Sequence, residues 1–393
     1  MKGKFVVIDL ETTGTSPQKG EKIIQFAAVV IEGGKITDQY STFVNPNMEI
    51  PFFIEELTGI SDKDVIRAPV FQEIAPKVAE MLEGAYFVAH NAFFDLAFLQ
   101  EELFLAGFPR FYGPVLDTVE MARVVYPKAD SYKLSELALY LNLEHLRPHR
   151  ADWDAFVTAQ IFLKIVSRLK TLPLETLGQL LKLSRSLKTD FSFFLDHLLE
   201  EMKIGSQSPN QWEIIRGLAI KKVSENREEK NASLPFYAES EEEKTRLFQQ
   251  AFSDYEKRDG QFQMMDAVFQ SFSEKEHALI EAGTGIGKSL AYLYPAAVFA
   301  KMYKEKVVIS TYTVYLQEQL LFKDMPILQK MLPFSVKAAL LKGRNHYISL
   351  AKFEQALKET DDDNDTAITK MQILVWLTET ESGDRNELNL SSA

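Results

Sequence analysis

The stretch "FVVIDLETTG" at residues 5–14 decides the fold of the first part of the chain. Its first half is a run of β-branched and aromatic residues, which is typical of a buried strand. The run also carries two carboxylates, Asp9 and Glu11, and side chains two positions apart on a strand face the same side. Like charges placed together need a cation or a proton. The pair therefore predicts either a site for Mg²⁺ or Mn²⁺, which prefer carboxylate oxygens, or an ordinary strand end that runs into a polar turn.

The spacing of apolar residues around this strand predicts one α/β unit. "EGGK" at 32–35 has the composition of a hairpin turn. The predicted strands are 4–10, 23–31, 36–44 and a short one within 85–91, and the predicted helices are 71–83, 93–106, 133–141 and 151–169.

Composition excludes several classes of protein. The 393 residues include no cysteine, which excludes disulfides, thiolate zinc sites and iron–sulfur clusters. No apolar run approaches the ~18 residues of a membrane span. Both features predict a cytoplasmic protein. The net charge of −12 does not favour non-specific nucleic-acid binding, but carboxylates that hold divalent metals also count as negative.

Two later stretches add residues suited to metal chemistry. "VAHNAFFDLAFL" at 88–99 places Asp95 in the first turn of a helix, where the helix dipole alone would also favour an acid. "HRADWDAFVTAQIFL" at 149–163 places His149 before a helix and Asp154 inside it, so the two converge only if His149 lies on the entering loop. Asp117 and Asp152 are further acids that the same argument allows as metal ligands.

Taken together, "DLETTG", "HNAFFD" and "HRADWDA" resemble the DnaQ-like exonucleases of the DEDDh type, over about residues 1–168. The resemblance implies a ribonuclease H-like fold and sets Asp152 aside. It also implies that Thr12 contacts the 3′-terminal nucleotide, whereas Gln25 stands where many relatives have a glutamate. The resemblance assigns metal binding to Asp9, Glu11, Asp95 and Asp154, and the role of general base to His149.

The activity implied by this resemblance is removal of nucleotides from a 3′ end. Two Mg²⁺ or Mn²⁺ ions per site would clamp an in-line displacement at phosphorus. The expected substrate is single-stranded DNA or RNA with a free 3′ end. DNA is favoured, although no residue identifies a reader of the 2′-hydroxyl.

A second motif lies in "HALIEAGTGIGKSLAYLYP" at 277–295. Strands are predicted at 277–282 and 306–312, with a helix over 288–303, which is typical of a partial P-loop (RecA-like) α/β domain. The loop predicts ATP binding, with Lys288 reaching the β- and γ-phosphates and Ser289 reaching Mg²⁺. Ala282 occupies the first glycine position of the motif. The predicted phosphate-binding residues are Gly283, Thr284, Gly285, Ile286, Gly287, Lys288 and Ser289.

Flanking segments resemble superfamily 2 helicases of the DinG/XPD kind. "RDGQFQMM" at 258–265 is similar to their adenine-recognition motif, which implies that Gln261 and Arg258 contact adenine. The segment 307–321 is similar to their motif Ia. Fusion of the two domain types is the arrangement of the DinG proteins of Gram-positive bacteria. The predicted division is an exonuclease domain at 1–168, a helical accessory region at 169–250 and an incomplete helicase ATP-binding part at 251–393.

The helicase part lacks an Asp-Glu-Ala-His box and a second motor half. The chain is therefore expected to be truncated within that part and not to unwind DNA. The leading interpretation is a metal-dependent exonuclease with an ATP-binding region that regulates it. Two alternatives stay open: an ATP-dependent helicase of DNA repair with a vestigial exonuclease domain, and a nucleotide-sensing module that binds nucleic acid.

Overall fold

The computed structural model describes residues 2–145, 149–203, 211–222, 236–359 and 363–390. The chain divides into two units. The first combines Met1–Val223 with His346–Ala393, and the second is Ser224–Asn345. The strands are β1 Lys4–Thr12, β2 Ile23–Glu32, β3 Lys35–Phe43, β4 Ala85–Ala89, β5 Val115–Asp117, β6 Trp212–Ile215 and β7 Leu218–Lys221.

Helices connect and cover these strands. They are α1 Phe52–Thr58, α2 Asp62–Val65, α3 Phe71–Leu82, α4 Ala92–Leu105, α5 Thr118–Val125, α6 Leu134–Tyr140, α7 Ala151–Leu169, α8 Leu174–Leu183, α9 Phe191–Lys203, α10 Glu241–Ala251, α11 Asp259–Glu274, α12 Lys288–Tyr303, α13 Val314–Gln319, α14 Met325–Met331, α15 Leu350–Ala356 and α16 Asn364–Leu377.

A five-stranded sheet in the order β3-β2-β1-β4-β5 forms the centre of the first unit. The pairs β1–β2 and β2–β3 are antiparallel, whereas β1–β4 and β4–β5 are parallel. Gly33 and Gly34 both have positive φ and form the turn between β2 and β3. The sheet is therefore an antiparallel meander joined to parallel strands, and β1 lies at its middle.

Alternation along β1 gives the sheet two apolar faces. Phe5 and Val7 belong to a core that includes residues of α5 to α9, while Val6 and Ile8 belong to a second core with α3 and α4. Because both faces are covered, the strand reads as a continuous apolar run. The sequence prediction of β1 to β4 and of α3, α4, α6 and α7 is confirmed to within a few residues at each end.

The segment after residue 345 belongs to the first unit. Trp376 of α16 is fully buried, and α16 packs against α5 and α8. The β6–β7 hairpin lies beside them, and its Trp212 Nε1 donates to the carbonyl of Thr378 at 3.1 Å. The division into two units therefore differs from the predicted boundary at 251. The reason is that α16, which follows residue 345, buries its apolar surface against other helices of the first unit.

The second unit is helical in its described residues, 236–345. Its core joins α10, α11, α12 and α14, and the predicted helix over 288–303 is confirmed as α12. The strands predicted at 277–282 and 306–312 are wrong for this structure, since neither segment pairs with a neighbour. Leu279 and Val308 within them are almost wholly exposed. The RecA-like part of the predicted fold is thus not confirmed.

Among the residues described, no helix has both the length and the apolar composition needed to cross a membrane.

Candidate active site

Three carboxylates meet at the end of β1. Asp9 and Glu11 continue the face that carries Phe5 and Val7, and this is the face against which α7 packs. Asp154 lies in the first turn of α7. One oxygen from each of Asp9, Glu11 and Asp154 lies within 4.8 Å of the other two. The strand alternation and the helix start therefore bring together three of the four predicted metal ligands.

Gln25 fixes the start of α7 over this cluster. It lies opposite Glu11 in the β1–β2 ladder and is 2% exposed. Its Oε1 accepts the backbone N–H of Ala151 at 3.2 Å, and its Nε2 lies 3.4 Å from Asp152 Oδ1. A buried amide in this place satisfies a free N–H of the first helical turn. Gln25 thus has a supporting role that needs no charge.

Asp95, the fourth predicted ligand, reaches the same strand end from the other face of the sheet. It lies on α4 and is buried, and its Oδ1 accepts the backbone N–H of Leu10 at 3.1 Å. It is not part of the group of three oxygens. Its charge is nevertheless close enough to raise the pKa of Asp9.

The electrostatics of the cluster favour a bound cation. Burial raises the pKa of Asp9 well above its usual range, and the charges of Asp95, Asp154 and Glu11 raise it further. Burial, followed by the charge of Asp154, raises the pKa of Glu11 to about 7, while Arg150 opposes this shift. Carboxylates in such a place gain by binding a proton or a hard cation. The donor set consists of oxygens alone, so the residues present fit Mg²⁺ or Mn²⁺.

Two histidines lie near the start of α7, and only His149 was predicted there. His149 lies on the entering loop with φ of 64°, and its backbone N–H donates to Asp154 Oδ2 at 3.0 Å. Its side chain is exposed. The imidazole at the cluster is that of His145, whose Nε2 lies 2.6 Å from Asp154 Oδ1. Sequence reasoning missed His145, although a second histidine four residues before His149 was a visible signal.

The competing acids have other partners. Asp117 accepts the backbone N–H groups of Asn91, Ala92 and Val119, so it caps α5 and holds the loop before α4. Asp152 pairs with Arg150 at 3.3 Å and has a side chain that is 43% exposed. Neither is part of the group of three oxygens. The hydroxyl of Thr12 donates to the carbonyl of Gly14 at 2.6 Å, and its contact with a nucleotide stays a prediction.

In the second unit, the predicted phosphate loop precedes α12. Gly285 and Gly287 both have φ of 84°, and a Cβ on Gly287 would lie 2.2 Å from Gln261 Nε2. Gln261 Nε2 donates to the carbonyl of Gly287 at 3.0 Å, and Arg258 donates to the carbonyl of Gly285. Lys288 Nζ donates to the carbonyl of Gly283 at 2.9 Å. The remaining predicted loop residues, Thr284, Ile286 and Ser289, lie in the same turn and at the start of α12.

The sheet order, the two covered faces and the acidic cluster at the end of β1 are those of an RNase H-like fold, and the fold predicted for about residues 1–168 is confirmed. Residues 6–162 match the model of the exonuclease family RNase_T.

The chain is similar over nearly its whole length to proteins named 3′-5′ exonuclease DinG. It is 50% identical to the one from Bacillus subtilis over 396 residues, which cover 100% of this chain and 42% of that protein. It is 35% identical to the one from Staphylococcus epidermidis over 389 residues, which cover 98% of this chain and 42% of that protein. The chain therefore spans less than half the length of these curated relatives.

Two solved structures resemble part of the chain. One is exonuclease X in complex with 5′ overhanging duplex DNA, with 25% identity, a TM-score of 0.34, and coverage of 42% of this chain and 91% of that one. The other is the nuclease domain of 3′hExo, a DEDDh family member, bound to rAMP. Its identity is 22% and its TM-score 0.38, with coverage of 42% of this chain and 92% of that one.

Proposed function

We propose that the chain is a metal-dependent 3′–5′ exonuclease that releases nucleotides from single-stranded nucleic acid, with DNA as the favoured substrate. One observation carries the proposal: oxygens of Asp9, Glu11 and Asp154 converge within 4.8 Å at the end of β1, inside an exonuclease-family domain. The names of the relatives support the polarity of cleavage.

The residues have distinct proposed roles. Asp9, Glu11 and Asp154 would hold two Mg²⁺ or Mn²⁺ ions, and Asp95 would complete the ligand set from α4. Bound divalent ions supply the Lewis-acid chemistry of the reaction, activating water and stabilising the leaving 3′-oxygen. His149, on the loop that enters α7, would accept the proton of the attacking water, because an imidazole is matched to neutral pH. Gln25 would keep α7, and hence Asp154, over the strand end.

The test uses DNA and RNA strands labelled at the 3′ or the 5′ end, with Mg²⁺ or Mn²⁺. A 3′–5′ exonuclease releases the 3′ label at once as a mononucleotide and shortens the 5′-labelled strand stepwise. Asp154→Asn should lower the rate by roughly a hundredfold or more, since a ligand and its charge are lost.

Asp152→Asn is the matched control, since it makes the same chemical change two residues earlier on α7 and should keep the rate within a few-fold. Equal losses in both variants, or release of the 5′ label first, would contradict the proposal.

A second function, nucleotide binding, is favoured by the loop before α12. The backbone of Gly285 and Gly287 is left-handed, and Lys288 lies at the helix start with its ammonium group against loop carbonyls. We propose that this loop binds the phosphates of ATP and that ATP changes the rate of the nuclease without being consumed. The lysine would exchange its carbonyl partners for phosphate oxygens, which are stronger acceptors for a charged donor.

The test compares a fluorescent ATP analogue and nuclease rates in wild type and Lys288→Ala, with Lys301→Ala on the same helix as control. Lys288→Ala should weaken nucleotide binding by at least tenfold and abolish any effect of ATP, while the basal nuclease rate stays unchanged. Equal nucleotide affinity in the three proteins would exclude this role for the loop.

A further inference from the structure

Asp154 differs from the other two carboxylates of the cluster in its hydrogen bonds. Its Oδ1 lies 2.6 Å from His145 Nε2, and its Oδ2 accepts the backbone N–H of His149 at 3.0 Å. Among the residues described, no hydrogen bond reaches the carboxylates of Asp9 or Glu11. Asp154 is thus the member of the group in which both carboxylate oxygens have a hydrogen-bond partner.

The imidazole of His145 is held on one side only. Its side chain is 6% exposed, and its Nδ1 is buried with no hydrogen-bond partner among the described residues. A buried polar atom without a partner costs free energy. His90 shows the contrast, because its Nδ1 lies 2.9 Å from Thr118 Oγ1 and its Nε2 lies 3.0 Å from the carbonyl of Tyr132. His90 is thus fixed through both nitrogens, whereas His145 is fixed through Nε2 alone among the described residues.

We infer that His145 is a latch that competes with divalent metal for Asp154. This inference rests on the proposed function, since it concerns the same carboxylates. Before metal binds, the Nε2–H of His145 donates to Asp154 Oδ1 and offsets part of the repulsion within the acidic cluster. Metal binding at Asp9, Glu11 and Asp154 then displaces the imidazole. The His145 ring therefore stabilises the acidic cluster in the absence of metal and lowers the affinity of the cluster for metal. A residue that only positioned Asp154 for metal binding would raise that affinity.

The test is the affinity of the full chain for Mn²⁺, measured by calorimetry and by electron paramagnetic resonance. His145→Ala should bind Mn²⁺ roughly five times more tightly than wild type, because one charge-assisted hydrogen bond no longer has to be broken. His197→Ala is the matched control. That imidazole also has hydrogen-bond partners, Tyr86 and the carbonyl of Phe193, but it lies at the other end of the parallel strand pair. The control should bind Mn²⁺ as wild type does.

A second measurement leaves His145 in place. The imidazole nitrogens of His145, followed by ¹⁵N nuclear magnetic resonance, should shift when Mg²⁺ is added and should not shift in Asp9→Asn. Two results would overturn the latch: unchanged or weaker Mn²⁺ binding in His145→Ala, or a His145 signal that does not shift when Mg²⁺ is added. Neither result would contradict the proposed nuclease activity. A wild-type chain that binds no Mn²⁺ and digests no strand would instead overturn the proposed function, and the latch with it.

Discussion

Glu120 shows how a single buried carboxylate links the stability of the first unit to pH. It lies on α5, is 9% exposed, and accepts the hydroxyl of Thr189. Burial raises its pKa from 4.5 to about 7, with a smaller contribution from the charge of Asp117, while the Thr189 hydroxyl and Arg123 act in the opposite direction. The folded state therefore favours the protonated acid.

The sign of the effect follows from linkage. Because the folded pKa exceeds the unfolded one, the stability that Glu120 contributes is complete below about pH 4.5 and is lost as the pH rises through about 7. Glu120→Gln keeps an acceptor for Thr189 and removes the charge. The difference in free energy of unfolding between Glu120→Gln and wild type should shift in favour of the variant by on the order of 2 kcal/mol between pH 5 and pH 8. Urea titrations at the two values measure this difference.

The control is Glu136→Gln on the neighbouring helix α6, where the side chain is exposed. Its stability relative to wild type should change little between the two pH values. The same change in both variants would mean that overall charge, rather than the burial of Glu120, produces the effect.

Strand alternation accounts for the placement of Asp9 and Glu11, because it puts both side chains on one side of β1. A place near the start of α7 does not separate Asp154 from Asp152, so that choice comes from the family resemblance. His149 lies on a loop, where no periodicity fixes the direction of a side chain. His149 has a left-handed φ of 64° and directs its backbone N–H to Asp154, and the imidazole of His145 lies 2.6 Å from the other oxygen of that carboxylate.

Among the elements, α7 depends on a contact that the strand β2 makes with its first turn. Gln25 Oε1 accepts the N–H of Ala151, three residues before Asp154. Gln25→Met keeps the length and volume of the side chain but leaves that N–H without its partner, which costs about 1–3 kcal/mol. We expect a nuclease rate roughly ten times lower, because a small displacement of Asp154 is costly to catalysis.

Gln39→Met, on the exposed edge strand β3, is the control and should be neutral in both stability and rate. Thermal unfolding and the labelled-strand assay measure the two effects. A Gln25→Met protein with wild-type rate would show that α7 holds Asp154 in place without this hydrogen bond.

Elements that bury one long, regular face could be predicted, and short ones could not. The strand β5 has only three residues, and α1 exposes Phe52, Phe53 and Leu57, which obscures its periodicity. The segments 277–282 and 306–312 have the apolar composition of buried parallel strands. A strand also needs a neighbour that completes its hydrogen bonds, and composition does not reveal whether that neighbour is present.

At the scale of the whole molecule, the segment 346–390 is the part whose place in the fold the sequence did not indicate. It follows the predicted phosphate loop along the chain, yet it belongs to the first unit. Asn389 Nδ2 donates to the carbonyl of Ala129 at 2.8 Å, and Arg168 pairs with Glu379 at 2.8 Å. These contacts join residues more than 200 positions apart, which local sequence patterns do not encode.

Trp376 tests whether this segment stabilises the nuclease. It is fully buried in the same core as Phe5 and Val7, and its Nε1 donates to Glu387 Oε2 at 2.9 Å. Trp376→Ala should cost about 3–5 kcal/mol, the range for removing a large buried aromatic side chain. The lost stability is that of the unit that carries Asp9, Glu11 and Asp154. Nuclease activity should therefore be lost at a lower temperature in Trp376→Ala than in wild type.

Phe334→Ala is the matched control, since Phe334 is equally buried but lies in the core of the second unit. It should lower the unfolding temperature of that unit by calorimetry and leave the heat inactivation of the nuclease unchanged. If Phe334→Ala inactivated the nuclease and Trp376→Ala did not, residues 346–390 would belong energetically with the P-loop region. The opposite result would mean that the stability of the first unit depends on a segment separated from the rest of that unit in sequence by 122 residues, Ser224–Asn345.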